Sequence, residues 1–212
     1  MCKSEADIET FANHCVFMWS VYLHGHILYE ASSADDKGRM ESAAPIFFGD
    51  LHQMLVEYTV LQVCKITDPA HDIRRNDNHT IEFLLKHYGL DGDAKVGKRL
   101  TELEAAIKDF RGKLLPARNK LISHSDRDAI IAGRPLGAAP QSDWNDFWNN
   151  LSELIDLIYQ AVLGKSFVLK DVGTPSDADC LLKVLAAAEH FQELLSDKDR
   201  AVARRAAELA FR

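Results

Sequence analysis

The sequence predicts an all-α protein, and three observations predict it. Apolar residues recur at alternating spacings of three and four, the 11 glycines and 6 prolines fall mostly between those runs, and no stretch reads as a convincing strand. The 212 residues are 47% apolar and 27% charged, which supplies a sizeable core and rules out a disordered chain. We expect a single helical bundle of five to six helices forming one domain over residues 1–212. Its core covers roughly residues 5–196, and residues 197–212 form a helical tail.

The first helix is predicted over residues 5–31, with Ile8, Phe11, Cys15, Met18, Tyr22 and Tyr29 on one face. The polar residues 32–38 end it. Pro45 suits a first helical turn, and the second helix runs through Phe47, Leu51, Met54, Tyr58 and Leu61 to Thr67, where Asp68-Pro69 stops it. Residues 68–78 read as a loop carrying both signs of charge. Asn78 or Thr80 caps a short helix ending at Tyr88-Gly89, and a fourth helical stretch opens after Asp91-Gly92-Asp93. Loop composition returns over residues 125–140. Ser142 caps a helix through Trp144, Phe147, Leu151, Leu154, Ile158 and Val162 that Gly164 closes, and Thr174-Pro175 begins the last helix.

Twenty-five basic residues against 32 acidic ones leave a net charge of −7, which argues against a coat-like nucleic-acid binder or a polybasic membrane binder. Cys2, Cys15, Cys64 and Cys180 are far apart and form no Cys-x-x-Cys, so zinc and a disulfide framework are not expected and a reduced compartment is. The first seven residues are too acidic for a secretion signal, and no run has the length of a spanning helix. The expected location is the cytoplasm, without membrane association.

The fourth helical stretch carries most of the information. Val96, Leu100, Leu103, Ile107, Phe110, Leu114, Ala117 and Leu121 form an unbroken three-and-four seam, and the next seam position is His124. Pro116 lies inside this run, where a kink rather than an end is expected. At about 100° per residue, Arg118 and His124 lie about 60° to either side of Leu121, so both flank the buried stripe. Lys98, Arg99, Lys108, Arg111, Lys113, Arg118 and Lys120 outnumber Glu102, Glu104 and Asp109, a local excess of +4 in an acidic chain. Arginine binds phosphate in bidentate fashion and stabilises charge that develops on it. Histidine moves protons near neutral pH. Together they form the minimum equipment for metal-independent phosphodiester chemistry, with no cofactor.

The string Arg118-Asn119-Lys120-Leu121-Ile122-Ser123-His124-Ser125-Asp126 resembles the Arg-x5-His motif of the HEPN superfamily (higher eukaryotes and prokaryotes nucleotide-binding). With Cys64-Lys65-Ile66-Thr67-Asp68-Pro69 upstream, it is most similar to the abortive-infection U-type branch, over roughly residues 45–160. The resemblance implies a HEPN-like bundle that dimerises with both motifs facing a shared cleft. It also implies a metal-independent endoribonuclease of phage-defence or toxin type, in some members governed by an antitoxin. Arg118 would hold the scissile phosphate and His124 would act as general acid/base. Asn119, Lys120, Ser125, Asp126 and Asp68 would support them or bind substrate. RNA is the expected partner and DNA is not. Where some members have a modified tyrosine two residues after the histidine, this chain has Asp126, which argues against that mode of regulation.

Each residue also has an ordinary reading. His124 can bond terminal helix carbonyls, and Arg118 can pair with Asp68 or Asp126 to fix a loop. A non-catalytic module that binds a nucleotide, RNA or a partner protein would use the same two residues, and a scaffold bundle would use neither. His24 and His26 lie about 200° apart on a helix and cannot share a metal, whereas His26 and Glu30 could. His71 and His79 are assigned no role. Trp144, Phe147 and Trp148 read as core or interface, and Asp72, Arg74, Arg75 and Asp77 as a solvated loop in which the two arginines could extend an RNA path.

Overall fold

A computed structural model describes residues 3–119, 139–171, 176–194, 199 and 201–202. Among these residues there are seven α-helices and no strand. They are α1 (Lys3–Gly25), α2 (Ala34–Ala43), α3 (Pro45–Ile66), α4 (Ile81–His87), α5 (Gly97–Ala117), α6 (Gln141–Leu163) and α7 (Ser176–Leu194). The all-α expectation is met, and a lone bridge between His71 and Asp77 is the described β-type pairing. No helix among the described residues is long and apolar enough to cross a membrane. The described residues cluster in two compact units, one from Met1–Leu23 and Met54–Thr174, the other from His24–Gln53 and Pro175–Arg212.

The core of the first unit follows directly from the three-and-four periodicity. Helix α1 buries Ile8, Phe11, Cys15 and Met18, and α6 buries Phe147, Leu151, Leu154 and Ile158. The seam of α5 (Leu100, Leu103, Ile107, Phe110, Leu114) lies in the same cluster, with Val63, Cys64 and Ile66 of α3 and Leu84 of α4. Burying each such side chain contributes about 1.5–3 kcal/mol. Phe110 stacks on Phe147 at 4.9 Å and meets Trp144 edge-on at 4.8 Å, so the aromatic residues of α6 are core, not an exposed stacking platform.

Local chemistry sets the ends of these elements. The Thr80 hydroxyl accepts from the Phe83 N–H at 3.2 Å to cap α4, and Gly89, just past that helix, takes φ +63°. Helix α6 begins at Gln141 with extended Pro140 before it, rather than at a Ser142 cap, and Gly164 closes it at φ +64°. Proline sets the entry here without any side-chain cap.

In the second unit the structure departs from the sequence reading. Residues 32–38 do not simply end a helix, because Ser33 starts another. Its hydroxyl accepts from the Asp36 N–H at 3.1 Å while the Asp36 carboxylate receives the Ser33 N–H and hydroxyl, a reciprocal capping box. Helix α2 buries only Met40, which leaves no apolar period to read. The preceding helix ends in a π-helical turn over His26–Glu30, closed by Ala31 N–H donating to His26 C=O at 2.8 Å. Leu28, Met40, Phe48, Ala178 and Leu182 form this unit's core.

Ile107 is fully buried, so Ile107→Ala should destabilise by about 2–5 kcal/mol in denaturant titration, whereas the same change at exposed Ile46 should cost less than about 1 kcal/mol. His14 predicts a pH effect. Burial pushes its imidazole below the ordinary 6.5; the Gln62 side chain pulls it back, and Lys65 and His79 push it further down. The folded state therefore favours neutral His14, the unfolded chain takes up the proton more readily, and stability falls as pH drops through 6.5. His14→Gln should flatten the decline in melting temperature between about pH 6.5 and 5, above the carboxylate range.

Candidate functional site

Helix α5 is built to present its C-terminal end. The Asp93 carboxylate accepts from the Lys95 and Val96 N–H groups at 2.7 and 3.0 Å, organising the turn before the first residue. Gly97 is required there, because a Cβ would lie 2.9 Å from the Asp91 carbonyl oxygen. From Gly97 the buried seam runs to Ala117 without interruption. Pro116 has no N–H to give, yet the chain stays helical through it and Arg118 keeps φ −55°, ψ −49°. The Arg118 N–H is shared between the Leu114 and Leu115 carbonyls, and the turn widens to π geometry at Arg118 and Asn119.

Arg118 is half-buried beside this widened turn, and its Nη1 donates to Asn119 Oδ1 at 2.9 Å. Seven residues earlier, within about 20° of the same helix face, lies Arg111. Its Nη2 forms an ion pair with the Asp68 carboxylate, which follows the end of α3. Cys64, buried on α3, sits in the same neighbourhood. Burial pushes its thiol up, Arg111 and Arg118 pull it down, and Asp68 adds to the rise. The cluster thus comprises two guanidiniums, a carboxylate and a protonated thiol. The ordinary reading in which Asp68 holds Arg118 is replaced, because Arg111 takes that carboxylate.

This arrangement reshapes the basic character read from the sequence. Arg99 donates to both Glu153 oxygens at 2.7 Å, Lys113 pairs with Asp143 at 2.8 Å, and Lys108 bridges Glu104 and Glu82. The local excess of +4 is therefore largely consumed by carboxylates from other elements. Of the arginines at positions 99, 111 and 118, Arg118 is the one facing no carboxylate among the described residues.

A shallow cleft of about 190 Å³ opens on the opposite flank of α5, lined by Asp109, Lys113, Asp143 and Asp146 among others. It lies roughly 140° around the helix from Arg118 and is acidic, so it does not suit an anionic ligand. Of the other histidines, His26 Nδ1 lies 3.3 Å from Glu30 Oε2 and His71 pairs with Asp77 at 2.9 Å. His79 meets Phe11 edge-on at 5.7 Å. Among the described residues no three His, Cys, Asp or Glu side chains are grouped as a metal site would need.

Lys120, Leu121, His124, Ser125 and Asp126 lie outside the described residues. Of the site residues expected from the sequence, Arg118 and Asn119 are in contact, and Asp68 joins Arg118's neighbourhood through Arg111. The role of Arg111 was not read from the sequence. Its seven-residue spacing from Arg118 was the available signal, but partners 43 residues away cannot be read from helical spacing.

The HEPN_AbiU2 family model, described as AbiU2, matches residues 4–181 of the chain. No curated protein and no solved structure matches it significantly.

The Arg111–Asp68 pair yields a direct test. A double-mutant cycle of Arg111→Ala and Asp68→Ala, followed by denaturant titration, should return a coupling of about 1 kcal/mol, because both groups are only about a quarter exposed. A coupling of zero would show that the two side chains do not meet.

Proposed function

We propose that this chain, which belongs to the AbiU2 family of HEPN domains, is an endoribonuclease of phage-defence or toxin type acting in the cytoplasm. The observation that carries the reading is Arg118, the motif arginine left without a carboxylate among the described residues, in a helix whose other cations are largely neutralised. In an acidic chain such a guanidinium suits an incoming phosphate.

In the proposed reaction the ribose 2′-hydroxyl attacks the adjacent phosphorus. His124 takes the hydroxyl proton as the new P–O bond forms, and a proton returned to the departing 5′-oxygen completes cleavage to a cyclic phosphate and a 5′-hydroxyl. Arg118 stabilises the phosphorane charge, which is greatest midway through the exchange. Asn119, bonded to Arg118, fixes the guanidinium so that less side-chain freedom is lost when substrate arrives. Asp68 acts through Arg111, while Lys120, Ser125 and Asp126 support substrate binding. Neither proton transfer nor charge stabilisation in this scheme calls on a metal. A homodimer would bring two motifs to one RNA cleft, and an antitoxin protein would restrain the activity.

Purified protein should cut structured RNA in the presence of a chelator. Arg118→Ala and His124→Ala should each lower the rate about 100-fold or more. Arg118→Ala should shift stability by less than about 0.5 kcal/mol, as expected of a side chain with no ion pair among the described residues. Cleavage that survives both substitutions would defeat the mechanism, and RNA retarded but never cut would assign a non-catalytic binding module instead.

A further inference from the structure

We propose that an exposed apolar seam on α7 is a self-association surface, on which a second copy of this chain packs its own α7 in antiparallel register. The seam belongs to the second unit, and its role is independent of the Arg118 reading.

Helix α7 has two apolar faces, and its own unit uses one of them. Ala178 and Leu182 are buried in that unit's core, and Leu181 and Leu185 pack against it. On the other side Cys180, Val184, Ala187, Phe191 and Leu194 follow one another at spacings of four, three, four and three. That is the repeat lining one face of a coiled-coil helix. All five are exposed, Val184 by 63%, Phe191 by 61% and Leu194 by 71%. Every residue from 187 to 194 is exposed, so no described residue covers either face of the last two turns. What ties this half of the helix to α2 is polar: Arg39 Nε donates to the Glu189 carboxylate at 2.6 Å. No charged residue interrupts the seam between Cys180 and Leu194. An apolar stripe of this length and regularity on a protein surface marks a contact with another helix.

The order of side-chain sizes selects the occupant. With a two-fold axis at the level of Glu189, Val184 of one copy meets Leu194 of the second copy and Ala187 meets Phe191. The symmetry repeats both contacts. Each layer sets a larger side chain against a smaller one, which fills the space between the helices evenly. A parallel pairing would stack Phe191 on Phe191 and Ala187 on Ala187, a bulge beside a gap. The antiparallel pairing also opposes the two helix dipoles. An unrelated partner would have to match this order of sizes, whereas a second copy supplies it by symmetry. The four layers from Val184 to Leu194 span about 15 Å, so the contact is small and the association reversible.

Sedimentation equilibrium of the full chain, from micromolar to near-millimolar concentration, should show a monomer–dimer equilibrium. Phe191→Glu puts an unpaired carboxylate into two of the layers and should weaken the dimer about 10-fold or more. Its circular dichroism and melting temperature should stay unchanged, because the side chain is exposed in the single copy. Val184→Glu, in the adjoining layer, should do the same. Gln192→Glu adds the same charge off the seam and should leave the dissociation constant within about twofold. The antiparallel pairing separates the two Cys180 thiols by about 27 Å, so mild oxidation should yield no covalent dimer. Three results overturn the proposal: a chain monomeric throughout, a dimer indifferent to Phe191→Glu and Val184→Glu, or a disulfide-linked dimer that Cys180→Ser abolishes. The second would put the dimer contact on another surface, and the third would make the pairing parallel. None of the three bears on RNA cleavage, which the Arg118→Ala and His124→Ala assays decide separately.

Discussion

The requirement that one continuous stripe of α5 stay out of water governs the rest of the first unit. Leu100, Leu103, Ile107, Phe110 and Leu114 are buried to within a few per cent, and no rotation of the helix preserves that burial. Once the stripe is set, the two flanks are set with it. One carries Asp109 and Lys113 into an acidic cleft, and the other carries Arg111 and Arg118 toward the end of α3. The separation of charge around a single helix is thus a by-product of its hydrophobic register.

Electrostatics then sort the cations into two groups. Arg99, Lys108, Arg111 and Lys113 are used at the rims of the helix, where exposed pairs add little stability each but restrict which neighbour fits. Arg118 lies past the proline, where the helix widens and its backbone N–H is shared between two carbonyls. Among the described residues its guanidinium meets a neutral amide and no carboxylate. The chain belongs to the AbiU2 HEPN family, and the same arginine opens the motif by which the family resemblance is recognised.

The Arg111–Asp68 contact links these features. It joins α5 to the segment after α3 and so ties the start of the 68–78 loop to the helix that bears the motif. The thiol of Cys64 beneath it is kept protonated mainly by burial, even with two guanidiniums nearby. A buried, uncharged sulfur accommodates both cations without competing for them.

The sequence by itself determined the helical class, the seam of α5, the start of α3 at Pro45, the Thr80 cap and the motif arginine, because each depends on neighbours within about one or two helical turns. It did not disclose α2, whose capping box is local but whose one buried side chain, Met40, leaves no period. Only the tertiary structure decided which cations are neutralised, since Glu153, Asp143, Glu82 and Asp68 come from other elements. The basic excess counted along the chain was correct as a count and misleading as a field. Coulomb energy depends on distance in space, and charges far apart in sequence can lie within about 3 Å of each other once the helices pack.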